Sequence, residues 1–138
     1  MATNAISAFK DGPGDVPTNM STIGSLSVPP GKYVIFAKLY LAQGSADPKK
    51  VQPNQVTAQL EAGGDFDISI TTVPIANDNP FRSGTETVSL NVVHEFGHGG
   101  GDAVVKLDKK PDTTPHLEWK FLKITAIQVD SLVNNPMP

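Results

Sequence analysis

The segment Ser89 to Gly101, SLNVVHEFGHGGG, holds the strongest chemical signal in the 138-residue chain. Within it, His94-Glu95-Phe96-Gly97-His98 has the letters of H-E-x-x-H, in which two imidazoles hold a zinc ion and the glutamate takes a proton from metal-bound water. That chemistry needs a helix, because only there do positions i and i+4 share one face and reach one metal at about 2.0 to 2.1 Å. The element that carries the motif therefore decides its meaning. Val88, Leu90, Val92, His94 and Phe96 alternate with Thr87, Ser89, Asn91, Val93 and Glu95, so a period of two runs through the motif. This predicts a strand over residues 85 to 96, with Gly97 to Gly101 as its turn. On a strand rising about 3.3 Å per residue, His94 and His98 stand roughly 13 Å apart, and Glu95 points away from His94. Three consecutive glycines, Gly99 to Gly101, would each cost a helix about 1 kcal/mol relative to alanine.

The letters also resemble the matrixin pattern H-E-F-G-H-x-x-G-x-x-H, but only in part. Gly101 matches, whereas Val104 stands where a third histidine belongs, and His116 is the remaining histidine of the chain. A zinc metallopeptidase through His94 to His98 is thus the disfavoured alternative. His94 reads as a strand histidine on an apolar face, and His98 as a loop histidine. Asp65 and Asp67 flank Phe66 beside a Gly-Gly turn without the ligand spacing of a calcium loop, and read as a solvated strand end. The glycine run lacks the G-K-[ST] and the helix of a phosphate cradle. No order of Ser, Asp and His suggests a nucleophile elbow. Tyr33, Phe36, Tyr40, Trp119 and Phe121 could form a stacking platform, but without Lys or Arg enrichment burial is the better reading. The sequence thus predicts no catalytic residues, no cofactor and no metal.

The elements that would position any site are strands. The 12 glycines and 12 prolines punctuate short apolar runs instead of gathering in one tract. KYVIFAKLYL, from Lys32, follows the turn Val28-Pro29-Pro30-Gly31. VTAQLEAGGDFDISITTV alternates Val56, Ala58 and Leu60, then Phe66, Ile68 and Ile70, as two half-buried strands around a glycine turn. ETVSLNVVHEF, DAVVKL and WKFLKITAIQVDSL continue the series, and no window keeps a helical period. Residues 43 to 54 and 74 to 84 are expected to be surface loops. Residues 1 to 21 read as an N-terminal arm or edge strand, and 22 to 138 as a single domain. A length of 138 residues suffices to bury about two thirds of the unfolded surface in one core.

Charge and composition exclude several partners. Lys and Arg number 11 against 14 Asp and Glu, a net charge of -3 with no basic run, which predicts no nucleic-acid partner. No run approaches the about 18 apolar residues of a membrane span. The first ten residues have neither the basic start nor the apolar core of a secretory signal, and there is no cysteine, so the chain is expected to be made in the cytosol.

Two strands are apolar on both faces. Tyr33, Ile35, Ala37, Leu39 and Leu41 form one face of the strand at 32 to 41, yet Val34, Phe36 and Tyr40 occupy the other beside Lys38. Leu122, Ile124 and Ala126 face away from Phe121, Ile127 and Val129 in the last strand. With no helix to cover a second face, another subunit is the simplest cover, and a symmetric one the commonest. A local bulge shifting the alternation is the competing explanation.

SLSVPPGKYVIFAKLYL resembles the entry to the aromatic-rich strand of C1q/TNF-like jelly-roll domains. SLNVVHEFG and FLKITAIQVDSLVN are similar to segments of the bacterial and phage-borne members, and the likeness spans residues 20 to 135. The resemblance implies an all-β, two-sheet jelly-roll sandwich of about ten antiparallel strands that forms a homotrimer, one sheet of each protomer facing the threefold axis. It also places the strand after the proline turn and the final strand together in that inner sheet. Val34, Phe36, Tyr40, Phe121 and Thr125 are then the expected trimer interface. The expected function is a non-enzymatic structural or binding module. Its settings are a bacteriophage virion component, such as a head-decoration or tail-associated protein, or else a bacterial surface adhesion module. The partners are then further copies of the chain, with other virion or cell-surface proteins beyond them.

Overall fold

The computed structural model describes residues 4–43, 54–73, 84–110 and 117–138. Among these, nine strands follow one another as β1 (Ala5–Lys10), β2 (Gly14–Asp15), β3 (Ser21–Val28), β4 (Gly31–Gln43), β5 (Asn54–Ala62), β6 (Asp65–Val73), β7 (Gly84–Phe96), β8 (Gly101–Lys110) and β9 (Leu117–Val129). They form two antiparallel sheets, one in the order β1-β9-β4-β7 with β2 also on β9, the other in the order β3-β8-β5-β6. Apart from the β5–β6 hairpin, the strands that pair are distant in sequence, and the chain crosses between the layers after β2, β3, β4, β6, β7 and β8, as in a jelly-roll sandwich.

The core lies between the sheets and is filled from alternate positions. Ile35, Leu39 and Leu41 of β4, Val88 and Leu90 of β7 and Ile124 of β9 are buried against Val56 and Leu60 of β5 and Val105 and Leu107 of β8. Truncating a fully buried leucine of this set, such as Leu60, removes about 2 to 5 kcal/mol of stability.

The first residues lie along β9. β1 pairs with it from Ala5↔Ile127 to Lys10↔Leu122, and β2 pairs Gly14 with Trp119. A Cβ on Gly14 would sit 2.4 Å from the Trp119 ring, so only glycine lets the backbone lie on that indole. Val16 closes the arm, buried and donating its N–H to the Leu117 carbonyl at 3.0 Å.

Several expectations change here. Gln43 and Gly84 are buried strand ends and Asn54 begins β5, whereas residues 44–53 and 74–83 lie outside the described residues. Gly101 opens β8, so the β7–β8 turn spans Gly97 to Gly100. The larger correction concerns β6. Val56, Ala58 and Leu60 are buried as their alternation implies, but Phe66, Ile68 and Ile70 are 60%, 45% and 63% exposed. They stand opposite Glu61, Gln59 and Thr57, on the outer face of the four-stranded sheet. The inward positions of β6 go instead to Asp67, Ser69 and Thr71, opposite Leu60, Ala58 and Val56. The reason is the neighbour. β6 is an edge strand packed beside β7, the edge of the other sheet, and its inner face meets main chain there as well as side chains: Asp67 Oδ2 accepts the Asn91 N–H at 2.9 Å. A polar residue inward satisfies a backbone donor that an apolar one would strand.

Candidate functional site

The H-E-x-x-H letters fall on β7 and its turn. The strand continues through His94 and Glu95 to Phe96, and His98 is exposed in the turn. His94 shares the inward face with Val92 and Phe96, its register partner being the buried Tyr33, while Glu95 is exposed opposite Lys32. The imidazole is already engaged. Its Nδ1 donates to Asp65 Oδ2 at 2.8 Å, and its ring meets Phe96 edge to face at 4.6 Å. Across the sandwich it lies on Gly63, whose φ of 59° and lack of a Cβ make the space: a Cβ there would fall 2.3 Å from His94 Cε1.

The arrangement is a tie between layers. Asp65 and Asp67, expected to be a solvated strand end, both reach across to β7, one to His94 and the other to the Asn91 N–H. Sequence could show the acidic pair and the histidine but not that their edges meet. Among the described residues no three His, Cys, Asp or Glu side chains gather as metal ligands. His116 lies outside the described residues. Zinc after desalting is expected well below one equivalent, and His98→Ala should leave both metal content and melting midpoint unchanged. Equimolar zinc lost in that variant would restore the hydrolase reading.

The five residues expected at an interface share one surface, the outer face of the five-stranded sheet. Val34 pairs in register with Ile127 and Phe36 with Thr125, at the centre of the sheet where β4 and β9 adjoin. Phe36 is 47% and Phe121 59% exposed, while Val34, Tyr40 and Thr125 are half-buried. Burial within the chain thus holds for Tyr33 and Trp119 and fails for Phe36 and Phe121.

β9 does contain a bulge. Its register with β4 shifts between Lys38 and Tyr40, and Phe121 takes a φ of 54°. The extra residue sends Leu117 and Trp119 into the core on one side and Leu122 and Ile124 on the other. It leaves Phe121 pointing outward, its ring 6.4 Å from Tyr40. A phenylalanine in the left-handed region costs about 1 to 3 kcal/mol, partly offset here by the bond from its N–H to the Asp11 carbonyl at 2.9 Å. Val93, half-buried opposite Val34, extends the apolar surface and was not singled out from the sequence. Its place on the outer face of β7 follows from alternation alone.

No protein-family model matches the chain, and no curated protein matches it. Solved structures do. A chain in the structure of infectious bursal disease virus Gx strain superposes with a TM-score of 0.53 at 13% identity, over 94% of this chain and 34% of that one. Dimeric latent PorU from Porphyromonas gingivalis gives a TM-score of 0.49 at 5% identity, over 91% of this chain and 13% of that one. A pentameric capsid protein isolated from metagenomic phage sequences gives 0.34 at 14% identity, over 96% of this chain and 67% of that one. The chain thus spans about a third of the length of the viral chain. At 13% identity that likeness establishes the sandwich fold and nothing finer.

Proposed function

We propose that the chain is a non-enzymatic, homotrimeric jelly-roll module of the C1q/TNF-like type, serving as a structural component of a bacteriophage virion such as a head-decoration or tail-associated protein. The observation that carries the reading is the outer face of the five-stranded sheet. Phe36 is exposed there beside Val34, Ile127 and Thr125, and beyond the Lys38–Lys123 pair Tyr40 packs on the exposed Phe121, on a face where a monomer normally presents polar side chains. Burying each aromatic contributes about 1.5 to 3 kcal/mol, and a closed threefold assembly repeats the contribution in every subunit. The fold shared with a chain of a virus supports a virion setting over a cell-surface one.

Size exclusion coupled to light scattering tests the assembly. At micromolar concentration the expected mass is three times that of the chain; a monomer would remove the trimer. Proteomics of purified particles from the source strain tests the setting, and recovery of the chain from cell surfaces instead of particles would favour adhesion.

A further inference from the structure

Lys38 of β4 and Lys123 of β9 stand directly opposite each other on the same outer face, two residues along each strand from the Phe36↔Thr125 pair. Both are exposed, and among the described residues neither is ion-paired to a carboxylate. Like charges directly opposed in an antiparallel ladder repel and destabilise the sheet that holds them. Relief would have to come from outside the cleft. Glu118 of β9, opposite Ala42 and so roughly 13 Å along β4 from Lys38, is 3.7 Å from Lys120, and the next carboxylate on the outer face of β7, Glu95, lies roughly 20 Å beyond Ser89.

What surrounds the two ammonium groups is a set of donors. Ser89, Asn91 and Thr125 line the same cleft of about 340 Å³, with Phe36 as its apolar wall, and among the described residues no acidic side chain lines it. We infer that this cleft is an anion site for a phosphate-class oxyanion, either free phosphate or the phosphoryl group of a small ester. Two lysines supply the charge, the Ser89 and Thr125 hydroxyls and the Asn91 amide donate hydrogen bonds to the remaining oxygens, and Phe36 offers a surface to the ester's organic part.

A second consequence rests on the proposed trimer. Any assembly that buries Phe36 also draws the Lys38 and Lys123 pairs of three subunits toward one another. Desolvating unpaired like charges opposes association, so an anion bound at each pair favours the trimer.

The test uses the full chain, melted and sized by light scattering in sodium phosphate, glycerol phosphate or sodium chloride at equal ionic strength. Phosphate at about ten times its dissociation constant is expected to raise the melting midpoint by about 4 °C over chloride and to lower the concentration at which trimers form. A response to inorganic phosphate alone identifies a free-anion site, and a response to both identifies one that accepts esters. The Lys38→Met, Lys123→Met double variant is expected to lose the phosphate effect and to form trimers in chloride. An equal rise in chloride reports screening only and overturns the anion site while leaving the trimer intact. So does a phosphate effect that survives the double variant. A chain monomeric in every buffer, yet stabilised by phosphate through these lysines, keeps the site and overturns the trimer.

Discussion

Gly100→Ala is expected to lower the stability of the fold by about 3 kcal/mol, read as a fall in the urea midpoint at unchanged slope. Two effects add at this position. Gly100 has a φ of 71°, where an alanine loses about 1 to 2 kcal/mol. Its Cβ would also fall 2.3 Å from the Val28 carbonyl oxygen, a backbone atom that cannot swing aside as a side chain would. Forcing β3 and the β7–β8 turn apart costs about another 1 to 3 kcal/mol. Gly64→Ala is the control. Among the described residues no atom beyond its own chain neighbours lies within 4 Å of a Cβ there, and the change should stay within about 0.5 kcal/mol of wild type. If Gly100→Ala behaves like Gly64→Ala, the turn does not press on Val28 in solution.

Phe36→Arg is expected to convert the trimer to a folded monomer. Arginine is the informative choice, because Lys38 and Lys123 on the same face would offer partners to an introduced carboxylate. A third cation per subunit has none among the described residues lining the cleft, and burying it unpaired costs several kcal/mol. Phe36 is 47% exposed, so the core between the sheets keeps its contacts and the variant should melt cooperatively. Phe66→Arg, on the outer face of the other sheet, supplies the contrast. It should leave the assembly unchanged. If Phe66→Arg dissociates the trimer and Phe36→Arg does not, the assembly is built on β6 and the face assignment is wrong.

Period two was enough to read β7, whose Val88, Leu90 and Val92 are buried while Thr87, Ser89 and Asn91 are exposed, and to separate the two faces of β4 although both carry apolar residues. Ile35 and Leu39 are buried and Lys38 is exposed, as alternation alone requires. The same rule misplaced Phe66, Ile68 and Ile70. Alternation separates two faces without saying which one is inside, and the usual assumption that the apolar face points inward fails where an edge strand lies against the backbone edge of the opposite sheet. A bulge was among the explanations that alternation allowed, but its place at Phe121 was hidden. Its signature is a change of phase between Trp119 and Leu122, and a run of apolar residues on both faces conceals a phase change. Of the candidate site, alternation put Phe36 and Tyr40 on one face of their strand, and only the resemblance to jelly-roll domains joined Phe121 of the last strand to them. The opposition of Lys38 to Lys123 depends on register across a strand pair 85 residues apart, which no local pattern encodes.

β9 lies between β4 and the two N-terminal strands, so the interior of its sheet is the last segment of the sandwich to be synthesised. Until residues 117 to 129 leave the ribosome, β1 and β2 have no strand to pair with and β4 pairs only with β7. At about 5 to 20 residues per second, the hundred or so residues between Gly14 and Trp119 take several seconds or more to appear. The nascent chain therefore carries Phe36 and the inward face of β4 without a closed sheet for that whole interval. Nearly all of its strand pairing is long-range, and such topologies fold in milliseconds to seconds once complete. Folding of this sandwich is then gated by translation of its final strand, and a chain stalled before residue 117 would present an unpaired β4 edge to whatever strand it meets first.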